Sequence, residues 1–329
     1  MRGVRWDAPL GRTNWRKEEK MRTYLYCETS GFTEKKEWQP NCWVNVEMPD
    51  RDDFDFLTKQ LNVPESFLED IADTEERPRT ESEGDWLLTI LRIPVPSNRG
   101  DVPYVTVPIG IITNNEIIVS VCYYKSELLP DFIAHTRRKG VVVRNKLDLI
   151  FRIIYSSAVW FLKYLKQINQ EVTAAEKALE RSIRNEDLLR LMKLQKTLVY
   201  FNTSIRGNEV MIGRLRTIFQ DTNFYDHELV EDLLIELKQA QSTVNIYSDI
   251  LTGTMDAFAS IISNNVNAIM KRMTSISITL MLPTLIASFY GMNVDVHIES
   301  VPHAFLWIVL SSILLSGVAF YVFRRIKWF

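Results

Sequence analysis

The sequence predicts an α/β domain, a long helical stalk and two C-terminal transmembrane helices. Three observations predict it. Residues 274–293 (TSISITLMLPTLIASFYGMN) carry no Asp, Glu, Lys, Arg or His, and a membrane helix needs about 20 apolar residues. A second uncharged run, residues 304–323, follows shortly after. Upstream, strand and helix patterns alternate as far as Lys139, and beyond it strands vanish.

Residues 1–20 are basic and irregular and are expected to form a flexible leader. Residues 21–140 are expected to form the α/β domain. Strands are expected at 43–46, 86–93, 104–112 and 116–123, the last two joined by a hairpin turn at Asn114-Asn115. Helices are expected at 50–61 and 64–71, started by Asp50 and Pro64, and at 126–138, capped by Ser126. Mixed elements in this order suit a sheet with helices on its faces.

Residues 141–225 read as two paired helices. The first runs over 146–184, with Leu147, Ile150, Ile154, Ala158, Phe161 and Leu165 at helical spacing. A break is expected at Asn185-Glu186-Asp187, then a second helix over 187–220 and a second break over 221–226. Residues 226–293 form the stalk and first span. A helix from His227 to Tyr290 meets only Gly253 and Pro283, and membrane helices tolerate Pro. At about 1.5 Å per residue it spans roughly 96 Å. Such a helix must pack on the preceding pair or on copies of itself, and it suits the transmission of movement.

Residues 294–303 form a loop, 304–323 the second span and 324–329 a basic tail. Lys271 and Arg272 precede the first span, and Arg324, Arg325 and Lys327 follow the second. The loop has no Lys or Arg and carries Asp295 and Glu299. Basic residues stay on the cytosolic side, so both termini are expected in the cytosol of a multi-pass cell (inner) membrane protein. Trp307 and Trp328 suit interfacial anchors. No N-terminal apolar stretch has the form of a signal peptide, so the α/β domain is expected to stay cytosolic. Cys27, Cys42 and Cys122 lack metal or redox spacing and read as reduced and structural.

A net charge of −2 gives no reason to expect nucleic acid. No phosphate-gripping Gly-rich loop with Lys, no HExxH and no Ser-His-Asp or Cys-His grouping is present, so no enzyme and no organic cofactor are expected.

The first span is polar on one side. Ser263, Asn267, Met270, Thr274, Ser277, Met281, Thr284 and Ser288 follow at steps of three and four, which is one helix face. Such a stripe serves helix packing in lipid, or it lines a pore.

Tyr290-Gly291-Met292-Asn293 closes this span, and the chain ends in a basic cluster after the second. This arrangement resembles the CorA family of magnesium channels and transporters. Phe67-Leu68-Glu69-Asp70-Ile71 followed by Arg77-Pro78 is similar to a stretch of that family's cytosolic domain. Asp249-Ile250-Leu251, Asp256, Ser263 to Asn267 and Met270-Lys271 resemble its stalk-to-pore segment. The outer loop departs, lacking the acidic Met-Pro-Glu-Leu string of many members.

The resemblance implies a funnel-shaped homopentamer in which the first span lines a pore for divalent cations, Mg2+ with Co2+ or Ni2+. Asn293, beside Gly291 and Met292, is then expected to select the hydrated ion, with Gly291 allowing a tight turn. Asn267, Met270, Thr274, Ser277, Met281, Thr284 and Ser288 line the pore, and Met270 and Met273 form its gate. Asp70 and Asp232 match positions where neighbouring subunits share a regulatory Mg2+. Asp256 joins them as an acid that binds this ion or draws ions leaving the pore. The partners implied are four further copies, a lipid bilayer and divalent cations. A zinc transporter of the same superfamily is the alternative, with His297 and His303 as loop ligands. A membrane-anchored helical scaffold is the more distant one.

Overall fold

Alternating apolar residues in the first part of the chain build a seven-stranded mixed sheet in the order β2-β1-β3-β7-β6-β5-β4. The strands are β1 Arg22–Glu28, β2 Gly31–Lys35, β3 Trp43–Glu47, β4 Arg79–Glu83, β5 Trp86–Pro96, β6 Tyr104–Thr113 and β7 Ile118–Cys122. Only β3 and β7 pair in parallel. The computed structural model describes residues 22–28, 31–97, 102–181, 184–220, 225–292 and 303–328. It divides into two compact units, Met1–Thr252 and Gly253–Phe329.

β1, β2 and β4 were not expected from the sequence. β4 reads Arg-Thr-Glu-Ser-Glu and has no apolar alternation to betray it. It is an edge strand, and charge on an edge protects against pairing with other chains. The hairpin turn falls where expected. Asn114 Oδ1 accepts from the backbone N–H groups of Glu116 and Ile117, at 2.9 and 2.7 Å.

One sheet face is covered by the segment after β3. The helix α1, Arg51–Asp55, starts on a reciprocal cap. Asp50 Oδ1 accepts from Asp53 N at 2.9 Å, and Asp53 Oδ2 accepts from Asp50 N at 3.3 Å. The expected single helix over 50–61 then changes into a π-helical turn, Phe56–Gln60. Helix α2, Glu65–Ala72, follows. Phe56, Leu57, Leu61, Val63, Phe67, Leu68 and Ile71 pack on Val44, Val46, Leu88, Ile90, Ile112, Val119 and Val121. A Cβ on Gly110 of β6 would lie 2.1 Å from Ile71 Cδ1. Only bare backbone lets α2 seat so closely.

Helix α3, Leu128–Lys139, starts two residues later than expected. Ser126 Oγ still accepts from Leu128 N, at 3.1 Å. Helices α4, Lys146–Arg181, and α5, Asn185–Ile218, pack on each other and on β5. Phe161 and Phe201 meet edge to face at 5.1 Å. The break expected at Asn185-Glu186-Asp187 falls just before it, since α4 ends at Arg181 and α5 begins at Asn185. Its two acids occupy the first turn, where the helix dipole favours negative charge.

Helix α6 runs from His227 to Tyr290 with Pro283 inside it. In the first unit it buries Val230, Leu233, Leu237, Ala240, Val244 and Leu251. Gln241 Nε2 donates to Asn202 Oδ1 at 3.0 Å and so joins α6 to α5. Helix α7, Ala304–Arg325, belongs to the second unit. Among the described residues, α6 and α7 are the two helices long and apolar enough to cross a membrane.

Candidate ion pathway and cation-sensing carboxylates

In the unit Gly253–Phe329 the eight residues of the polar stripe, Ser263, Asn267, Met270, Thr274, Ser277, Met281, Thr284 and Ser288, are all exposed. Met273, expected to share the gate with Met270, is also exposed. The packing within this unit uses a different line. Ser275 is 0 % exposed, and Thr279, Leu282, Pro283 and Ile286 are half-buried. On α7, Ser312 is buried and Ser316 Oγ donates to Thr279 O at 3.3 Å. Small hydroxyl residues let two helices approach in lipid. The buried line, joined to α7 at Thr279, is therefore rotated by one residue from the stripe; the stripe is exposed, as are the apolar residues Ile276, Ile278, Leu280 and Leu285 beside it.

Two of the stripe hydroxyls, Thr274 and Thr284, are prepared to accept. Thr274 Oγ1 donates to Met270 O at 2.8 Å, and Thr284 Oγ1 donates to Leu280 O at 3.0 Å. A hydroxyl whose proton is held by a backbone carbonyl has only lone pairs left to offer. Lone pairs are what the water shell of a cation requires.

The helix ends at Tyr290. Gly291 N donates to Ala287 O at 2.9 Å and Met292 N donates to Phe289 O at 3.4 Å. A turn follows at Gly291, as expected, with a φ that is not left-handed. Met292 is exposed. Asn293 and the loop residues Asp295, His297 and Glu299 lie outside the described residues. His303 is described, as the residue before α7.

In the unit Met1–Thr252, Asp70 sits near the end of α2 and pairs with Arg79 of β4, Nη2 to Oδ2 at 2.6 Å. Arg79 Nη1 also donates to Glu76, and its Nε donates to Glu81 at 3.1 Å. Partial burial raises the Asp70 carboxyl pKa above the ordinary value, with Arg79 opposing and Glu76 and Glu81 adding to it. Asp232 is exposed on α6. Burial first, and then the charges of Glu236 and Asp232, raise the pKa of the Tyr155 phenol on α4. Asp256 is exposed and belongs to the other unit.

Among the described residues, no three or more His, Cys, Asp or Glu side chains gather within the chain to hold a metal ion. Carboxylate oxygens are the hard donors that Mg2+ takes. Asp70 and Asp232 suit that ion by donor type.

The sequence reading missed the support behind Asp70. Arg92 of β5 sends Nη1 to the carbonyls of Thr74 and Glu76, both at 2.8 Å, and Nη2 to Thr106 O. Burial lowers the Arg92 pKa, and surrounding acids oppose that shift. An Arg inside the apolar run of β5 was the available signal, since a buried charge requires partners.

Residues 38–325 match the family model described as CorA-like Mg2+ transporter protein. The chain is 25% identical over 292 residues to the cobalt/magnesium transport protein CorA of Methanocaldococcus jannaschii, covering 87% of this chain and 90% of that protein. It is 24% identical over 273 residues to the cobalt/magnesium transport protein CorA of Thermotoga maritima, covering 77% and 73%. The fold is similar to the complete structure of the CorA magnesium transporter from Methanocaldococcus jannaschii. That match has a TM-score of 0.80 at 22% identity and covers 94% of this chain and 99% of that one.

Proposed function

The chain belongs to the CorA-like Mg2+ transporter family, and we propose that it conducts hydrated divalent cations, Mg2+ with Co2+ or Ni2+, through a pore lined by α6 from five copies. One observation carries this reading. The stripe at Asn267, Met270, Thr274, Ser277, Met281, Thr284 and Ser288 is the polar one among the exposed faces of α6, and it lies off the buried line that meets α7 at Thr279. Copies of α6 around an axis give an uncharged, acceptor-rich wall.

Mg2+ dehydrates reluctantly, and a wall without charge offers no substitute for its inner waters. The ion therefore travels with its shell. A ring of Asn293 carbonyls at the outer mouth, next to Gly291 and Met292, accepts from those waters and selects the ion. Met270 and Met273 narrow the inner end, where an apolar ring stops ions by dewetting. Closure follows cytosolic Mg2+, which bridges Asp70 of one subunit and Asp232 of the next. Asp232 and the stripe lie on the same helix, so a bridge there acts on the element that lines the pore. Asp256 attracts ions on the cytosolic side. Both termini lie in the cytosol and the 294–303 loop outside. The ion gradient and membrane potential supply the driving force, with no organic cofactor and no nucleic-acid partner.

The experiment is divalent-cation flux into liposomes holding the full chain, with internal Mg2+ present or absent and Zn2+ as competitor. Mg2+ entry that internal Mg2+ suppresses is expected. Entry of Zn2+ in preference to Mg2+ indicates the zinc-transporting relative. Absence of any cation flux refutes the reading, and a monomeric or dimeric mass favours a scaffold.

A further inference from the structure

Arg79 uses every nitrogen of its guanidinium on a carboxylate: Nη2 on Asp70, Nη1 on Glu76 and Nε on Glu81. Three acids thus share one cation, and the group is left with net negative charge. The two ends of this cluster are anchored differently. Asp70 is fixed by α2, whose Phe67, Leu68 and Ile71 are locked in the core. Arg79 sits at the start of an edge strand, on a flexible side chain that is 27% exposed. The acid is fixed by its helix, and the cation is carried on a flexible side chain.

Its movement is inexpensive. If Arg79 leaves Asp70, Glu76 and Glu81 still hold two sides of the guanidinium. Glu76 keeps its place because Arg92 grips its backbone carbonyl, at 2.8 Å. No buried charge is stranded by the exchange. The pair is half-buried, with Arg79 27% and Asp70 35% exposed, so water and another cation still reach Asp70 and can compete for it. A monovalent ion brings one charge against one, whereas a divalent ion brings two.

We propose that Arg79 is a tethered counter-ion for Asp70, which an incoming divalent cation must displace, and that it thereby sets the cytosolic Mg2+ concentration at which the pore closes. This rests on the reading of Asp70 as a cation sensor. Without Arg79, Asp70 stands empty and binds Mg2+ at lower concentration. With Arg79, the sensor responds only when Mg2+ outcompetes it. The displaced side chain stays on Glu76 and Glu81 and returns when Mg2+ falls.

The test follows the Mg2+ midpoint of the full-length chain by two readouts, protection from limited proteolysis in detergent and suppression of liposome flux. In Arg79→Gln both midpoints are expected to fall together, by up to about fivefold. Arg79→Lys keeps the charge but loses the planar fork, and its midpoints are expected to lie between those of Arg79→Gln and the natural chain. If Arg79→Lys matches the natural chain while Arg79→Gln falls, the displacement is supported as well, because a tethered positive charge is what the divalent ion must expel. Unchanged or raised midpoints in Arg79→Gln also overturn it. Asp70→Asn separates the two layers. Loss of the Mg2+ response in Asp70→Asn with no shift in Arg79→Gln removes this inference and leaves the sensor. An intact response in Asp70→Asn removes the sensor reading and this inference together.

Discussion

Asn208 of α5 holds both backbone groups of Arg92: Nδ2 donates to Arg92 O at 2.8 Å, and Oδ1 accepts from Arg92 N at 2.9 Å. β4 pairs with β5 only as far as Ile90. The next residue of the same parity is Arg92, and there a side-chain amide does what a strand would have done. One step earlier on α5, a Cβ on Gly207 would lie 2.8 Å from Pro78 Cγ. Helix α5 thus seats both β5 and the segment that leads to Arg79.

Asn208→Ala would leave a buried N–H and a buried C=O without partners. Each such group costs about 1–3 kcal/mol. The variant is expected to lose about 2–6 kcal/mol in denaturant unfolding of the full chain. An unchanged unfolding midpoint would show that water reaches Arg92 and that the amide is dispensable.

Gly110→Ala tests the closest approach of α2 to the sheet. The new Cβ collides with Ile71 Cδ1 and Cγ1, and overpacking of this kind costs roughly 1–3 kcal/mol. In an Ile71→Ala background both of those atoms are gone. Ile71→Ala alone loses about 2–5 kcal/mol, but Gly110→Ala should then add little. Full additivity in this double-mutant cycle would mean that the two residues do not meet.

The sequence made the long elements readable, because helical period repeats many times over α4, α5 and α6. It also made the stripe readable as a period. It hid β4, whose residues are all polar, and the π-helical turn after α1, which no composition marks. It hid the Asp70 cluster too. Asp70, Glu76, Arg79 and Glu81 come from a helix, a loop and a strand, so no regular spacing joins them. Nor does a sequence say which of two adjacent hydroxyls, Thr274 or Ser275, faces α7; only packing separates the exposed one from the buried one.

Asn293→Ala bears on the proposed selectivity ring. Five side-chain acceptors would vanish together, and methyl groups cannot receive hydrogen bonds from a hydrated ion. Divalent uptake by liposomes is expected to fall to background, while the mass of the purified assembly stays as it was. Uptake at the natural rate would remove Asn293 from the pathway.

Ser275→Leu and Ser277→Leu separate packing from pore lining by placing the same side chain on neighbouring lines of α6. Ser275 is fully buried and lies in the line that packs on α7, so leucine there overfills a closed contact at about 1–3 kcal/mol. Loss of assembled protein is expected, with the surviving fraction conducting. Ser277 is exposed within the chain. Leucine at that position disturbs no contact with α7, yet in the proposed pore it sets an apolar ring among the acceptors, and apolar constrictions exclude ions by dewetting. Ser277→Leu is therefore expected to assemble normally and to lose at least tenfold in flux, roughly the effect of a 1.4 kcal/mol barrier. The opposite pattern, intact flux in Ser277→Leu with failed assembly, would place the stripe at a helix contact and take the pore elsewhere.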